Sequence, residues 1–122
     1  MPFRDLLKQL VASVEDASGA VLLESAGEAV QWHAVDERQA ERLRLRSAYV
    51  GVVLQNSRAL ASRTAAGRAF YMVLQYDGAS FIAQVIERDY FLVIELCPSA
   101  NIGQALYRLQ PMIDNLRRAL LA

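Results

Sequence analysis

Residues 36–64, DERQAERLRLRSAYVGVVLQNSRALASRT, read as one helix, and its place between two groups of strands decides the fold. Asp36 is a good cap, able to accept from free amides of the first turn, and Glu37 adds favourable charge there. Leu43, Val50 and Leu54 fall on one stripe of the helix. Leu45, Tyr49, Val52, Val53 and Leu60 fall on an adjoining stripe. One apolar stripe is what a helix needs to pack on its own sheet. The second requires another surface, so the chain is expected to work by associating with other proteins.

Working outward, Phe3 to Asp16 carries Phe3, Leu6, Leu7, Leu10, Val11 and Val14 at helical spacing, and Ser18-Gly19 is expected to break that helix. Ala20 to Glu24 reads as a buried strand, residues 25–28 as a turn and Ala29 to Val35 as the antiparallel return. Beyond the central helix, Gly67 is expected to take a left-handed cap. The period then turns strand-like. Ala69 to Tyr76 and Ser80 to Ile86 flank Asp77-Gly78, a two-residue hairpin signal. Arg88-Asp89 connects to a third strand, Tyr90 to Leu96. Pro98 ends it, and Ser99 or Asn101 caps a last helix carrying Ile102, Leu106, Leu109, Ile113, Leu116 and Leu120. Pro111 interrupts that helical pattern, removes the bond to the carbonyl of Tyr107 and costs about 3 kcal/mol if unrelieved, which predicts a kink or a break.

The order is therefore α-β-β-α-β-β-β-α. It predicts an α/β (α+β) sandwich of profilin-like architecture: one five-stranded antiparallel sheet with three helices, covered on both faces because the strands are apolar on both pleat faces. At 122 residues the chain suits one domain over 1–122, and 54% hydrophobic with 21% charged residues suits a folded core rather than disorder. The formal net charge is zero, which argues against a nucleic-acid partner. The most apolar stretch, Tyr90 to Cys97, is strand-sized, so no membrane span is expected, and no signal-peptide core opens the chain. A single cysteine excludes an internal disulfide, and the expected compartment is the cytoplasm.

Twelve of the thirteen basic residues are arginine, and Arg38, Arg42, Arg44, Arg46, Arg58 and Arg63 crowd the central helix. Arginine forks onto carboxylates and is less strongly hydrated than lysine, which favours it at interfaces. A solvated helix face is the plainer alternative.

Little else carries chemistry. His33 stands alone beside Trp32 and reads as a structural or surface strand histidine rather than a general base. Cys97 reads as an inert, half-buried thiol. The thirteen carboxylates show no paired spacing for a metal or for acid–base work, and Asp77, Glu87 and Asp89 mark hairpin ends. Gly103, at the start of the last helix, reads as a site of tight packing rather than an anion site. Phe70, Tyr71, Tyr76, Phe81, Tyr90 and Phe91 cluster on the three-strand segment, where core packing is favoured over base stacking. No catalytic set, metal or cofactor is expected.

From Leu6 to Leu120 the chain resembles the Roadblock family of dynein light-chain and bacterial MglB-type proteins. The resemblance is carried by the apolar first helix, by Gly19-Ala20-Val21-Leu22-Leu23 followed by Ala26-Gly27-Glu28, and by the helix after Asp36. Leu92-Val93-Ile94 leading into Asn101-Ile102-Gly103 and a leucine-spaced helix completes it. Pro111 and the arginine-heavy central helix depart from the plain family pattern. The resemblance implies a non-enzymatic homodimer in which the central helices pair antiparallel and the following strand extends the sheet. Mapped here, the interface is Leu45, Tyr49, Val52, Val53 and Leu60 with Tyr71 and Val73. It also implies a small Ras-like GTPase as partner, with Arg38, Arg42 and Arg46 as candidate contacts. The alternatives are a small-ligand sensor or scaffold domain of profilin-like architecture, its pocket near Trp32 and His33, and, last, a small enzyme using His33 or Cys97.

Overall fold

A computed structural model describes residues Pro2 to Ala122, with side chains from Phe3 onward. The elements are α1 (Pro2–Ser13), β1 (Ala17–Glu24), β2 (Ala29–Ala34), a 3-10 turn (Glu37–Gln39), α2 (Ala40–Arg63), β3 (Tyr71–Gln75), β4 (Ser80–Glu87), β5 (Tyr90–Leu96) and α3 (Ile102–Leu121). The five strands form one antiparallel sheet in the order β2-β1-β5-β4-β3. This is the α+β arrangement that the sequence predicts. The two local groups of strands join where β1 pairs with β5, which puts β2 and β3 at the edges.

Residues alternate across the pleat, so each strand serves both faces. Ala20, Leu22, Ile82, Leu92 and Ile94 bury against α1 and α3 through Leu7, Leu10, Leu109, Ile113 and Leu116. Val21, Leu23, Phe81, Phe91 and Val93 bury on the other face against Leu43, Val50 and Leu54 of α2. Because α2 leaves one edge strand and delivers the chain to the other, it must cross the sheet. At about 1.5 Å per residue it is roughly 36 Å long, against about 19 Å between the edge strands.

Two glycines let α2 lie close. A Cβ on Gly51 would come within 2.7 Å of the Phe91 ring, and one on Gly19 within 2.5 Å of a Leu43 methyl and 3.0 Å of the His33 carbonyl. Gly19 therefore belongs inside β1 and does not break α1. The break lies just after α1, where Asp16 takes φ 67°, a left-handed conformation that aspartate tolerates.

Three further expectations need correction. The left-handed cap of α2 falls on Ala65 (φ 56°) rather than Gly67, and the Ala66 amide donates to the Ala61 carbonyl at 3.0 Å. Gly67 is left-handed too (φ 96°), but within the connection to β3. Pro111 does not divide the last helix: α3 is continuous from Ile102 to Leu121. Tyr107 and Pro111 are both exposed, so the bond that proline removes lies on the solvent side, where water can satisfy the carbonyl. Gly103 is exposed and a Cβ there would meet only Asn101 Oδ1, at 3.6 Å, so tight packing does not explain it. Asn101 caps the helix, its Oδ1 accepting from the Gln104 amide at 3.0 Å.

Candidate protein-interaction site

The expected single helix from residue 36 divides. α2 itself begins at Ala40, after Gln39, which makes no side-chain cap bond. The 3-10 turn before it (Glu37–Gln39) is capped by Asp36. Its carboxylate accepts from the Arg38 amide at 3.1 Å and pairs with the Arg38 guanidinium at 3.2 Å. The Arg38 side chain, then its amide, hold the Asp36 carboxyl below the usual carboxylate range. From there α2 turns one apolar stripe inward. The other stripe meets solvent: Leu45, Tyr49, Val52, Val53 and Leu60 are 41–68% exposed.

Beside that stripe runs β3, an edge strand with no neighbour on its outer side among the described residues. Tyr71 is exposed, whereas Val73 is half-buried and leans on the α1/α3 core; Met72 and Leu74 lean toward α2. The helix and the strand wall a shallow trough with a groove at each end. One groove, of about 370 Å³, is lined by Tyr49, Val53, Leu74, Tyr76 and Phe81, with Arg46 at its margin. The other, of about 460 Å³, lies between Leu60, Thr64, Phe70 and Tyr71. The aromatic cluster thus divides. Phe81 and Phe91 are buried as expected, but Phe70, Tyr71 and Tyr76 are exposed at the β3 end of the sheet, which corrects their reading as core. Tyr76 stacks edge-on against Phe81 with ring centroids 6.2 Å apart.

The arginines of α2 are mostly engaged. Arg46 reaches Glu95 at 3.4 Å, and that carboxylate, with only 8% of its side chain exposed, also accepts from the Ser18 hydroxyl at 2.8 Å. A register shift between Ala17 and Gly19, where β1 pairs with β5, lies at Ser18. Arg44 lies over the Trp32 ring at 4.2 Å, and Arg58 donates to the Arg88 carbonyl at 3.4 Å. Of the three candidate partner arginines, Arg38 and Arg46 are therefore paired within the chain. Arg42 makes no salt bridge among the described residues.

The other expected positions offer less. The space beside Trp32 and His33 amounts to about 70 Å³, room for a water or two and not for a small-molecule ligand. Cys97 is exposed rather than half-buried, and no cluster of metal-ligating side chains occurs among the described residues. No helix is long and apolar enough to cross a membrane, again among the described residues. Sequence reasoning missed Glu95 and Ser18, which lie 77 residues apart and meet only through the β1–β5 pairing.

No protein-family model matches the sequence, and neither does any curated protein. The fold is shared with solved structures. A Roadblock/LC7 domain from Streptomyces avermitilis is 19% identical with TM-score 0.81, covering 96% of this chain and 96% of that one. MglC from Myxococcus xanthus is 23% identical with TM-score 0.72, covering 98% and 99%. MglB from Myxococcus xanthus is 12% identical with TM-score 0.84, covering 98% and 95%. The chain has the Roadblock fold over nearly its whole length.

Proposed function

We propose that this Roadblock-fold chain is a non-catalytic, homodimeric adaptor that acts as one domain over residues 1–122. It binds a small Ras-like GTPase in the cytoplasm and modulates that protein's nucleotide cycle or location. The observation that carries the reading is the second apolar stripe of α2, exposed beside the unpaired edge of β3. An exposed apolar face of this extent marks an association surface. Leu45, Tyr49, Val52, Val53 and Leu60 form the core of the homodimer contact, with Tyr71 and Val73 at the strand edge. Solved structures of the same fold include MglB and MglC, and the resemblance read from the sequence implies a small Ras-like GTPase as partner, as for bacterial members of that family. With Arg38 and Arg46 already paired, Arg42 is the main candidate among the three arginines for the client contact.

The test is a measurement of nucleotide hydrolysis and exchange by a small Ras-like GTPase encoded near this chain's gene, with and without the chain. A change in either rate, or co-elution with the GTPase, that is weakened by Arg42→Glu supports the reading. Neither effect at tens of micromolar chain contradicts the GTPase part of it.

A further inference from the structure

We propose that the outer edge of β2 is held shut by Gln31 and Arg44, so that the sheet cannot grow from that side. A sheet with two usable edges would let copies add end to end without limit. With β2 shut, strand-to-strand growth stops. This role of Gln31 and Arg44 does not depend on the homodimer reading above.

The backbone of β2 fixes which groups face outward. The Val35 amide donates to the Ser18 carbonyl at 2.9 Å. Antiparallel pairing alternates, so His33 and Gln31 also turn their amides and carbonyls to β1, while Trp32 and Ala34 turn theirs away. An outward amide on a bare edge is left to water or to the next strand. At Trp32 it is already taken, because the Gln31 carboxamide oxygen accepts from it at 3.1 Å. That oxygen stands where the carbonyl of an incoming strand would have to be.

The rest of the edge is short and charged. Leu22 opposes Gln31 and Leu23 opposes Ala29, so Val30 is an extra residue that breaks the ladder. At the other end the chain enters the 3-10 turn at Glu37. Over the Trp32 ring lies the Arg44 guanidinium, 4.2 Å from the centroid. Arg44 makes no salt bridge among the described residues, and its Nε is buried without a hydrogen-bond partner. A strand laid along β2 would bury more of that charge with no carboxylate of this chain to offset it. The opposite edge differs: β3 pairs with β4 in unbroken register from Tyr71 to Gln75.

The double variant Gln31→Val, Arg44→Met opens the edge, leaving a β-branched residue in the strand and an apolar one over Trp32. Light scattering is read from tens to hundreds of micromolar chain. The wild-type chain is expected to hold one mass throughout, and whether that mass is one chain or two decides the homodimer reading separately. The variant's mass is expected to climb with concentration to at least twice the wild-type value. A variant that keeps the wild-type mass with unchanged circular dichroism overturns the closed edge, and so does a wild-type mass that climbs in the same way. In the associated variant slow amide exchange is expected at Trp32 and Ala34; fast exchange at both places the contact elsewhere and overturns the proposal. The wild-type chain supplies a test that no substitution can spoil. Its Trp32 amide is expected to exchange about tenfold more slowly than an unbonded amide, and exchange at the unbonded rate overturns the Gln31 cap.

Discussion

Among the described residues Glu95 is the only buried charged side chain, and its partners explain how the molecule tolerates it. Arg46 neutralises it from α2 and Ser18 donates to it from β1, so removing Arg46 strands a carboxylate in a nearly dry site. Arg46 is itself partly exposed, so Arg46→Ala is expected to cost about 1–2 kcal/mol in urea unfolding, less than for a wholly buried pair. Glu95→Gln, which keeps an acceptor for Ser18, should cost less. Asp36 gives a pH dependence of known sign. Its folded-state value lies below the ordinary aspartate value, so its contribution is present above that ordinary value and is lost as pH falls through the lowered one. NMR titration should find the carboxyl depressed, and Arg38→Ala should return it toward the ordinary range. The Asp36 cap was legible because capping is local. The Glu95 site was not, because it exists only once two distant strands pair around a bulge.

At the scale of elements, α2 covers one face of the sheet and exposes a second apolar stripe. It is held against Phe91 by the absence of a side chain at Gly51. Gly51→Ala improves helix propensity but overpacks a rigid, buried ring, and the net expectation is a loss on the order of 1 kcal/mol. α3 offers the opposite test. Pro111→Ala restores a donor to the Tyr107 carbonyl on the solvent face and should stabilise the chain by about 1–2 kcal/mol, part of the gain being offset by a freer unfolded chain. Thermal and urea unfolding check both. The helices and strands were readable from periodicity, and their ends less so. Asp16 and Ala65 take left-handed conformations without being glycine, so composition placed those two breaks at Gly19 and Gly67 instead. Likewise Pro111 looks like a helix break in sequence, since burial alone decides whether its missing hydrogen bond matters.

For the molecule as a whole, the sheet order follows from the two hairpin groups meeting through β1 and β5, and it leaves β3 at an edge beside a helix with apolar residues to spare. The surplus on α2 was visible from residues 36–64 alone. The exposure of Phe70, Tyr71 and Tyr76 was not, because a strand's apolar content does not say whether it lies in the middle of a sheet or at its rim. Nor was the pairing of Arg38 and Arg46, which narrows the client-facing candidates to Arg42. The central claim is that this trough is where a second copy sits, and it is tested most directly by light scattering on the purified chain at micromolar concentration. The account predicts twice the 13.6 kDa of one chain, falling to a single mass in Val53→Asp with its circular dichroism unchanged. A wild-type chain that stays at 13.6 kDa, or a Val53→Asp variant that stays dimeric, would contradict it.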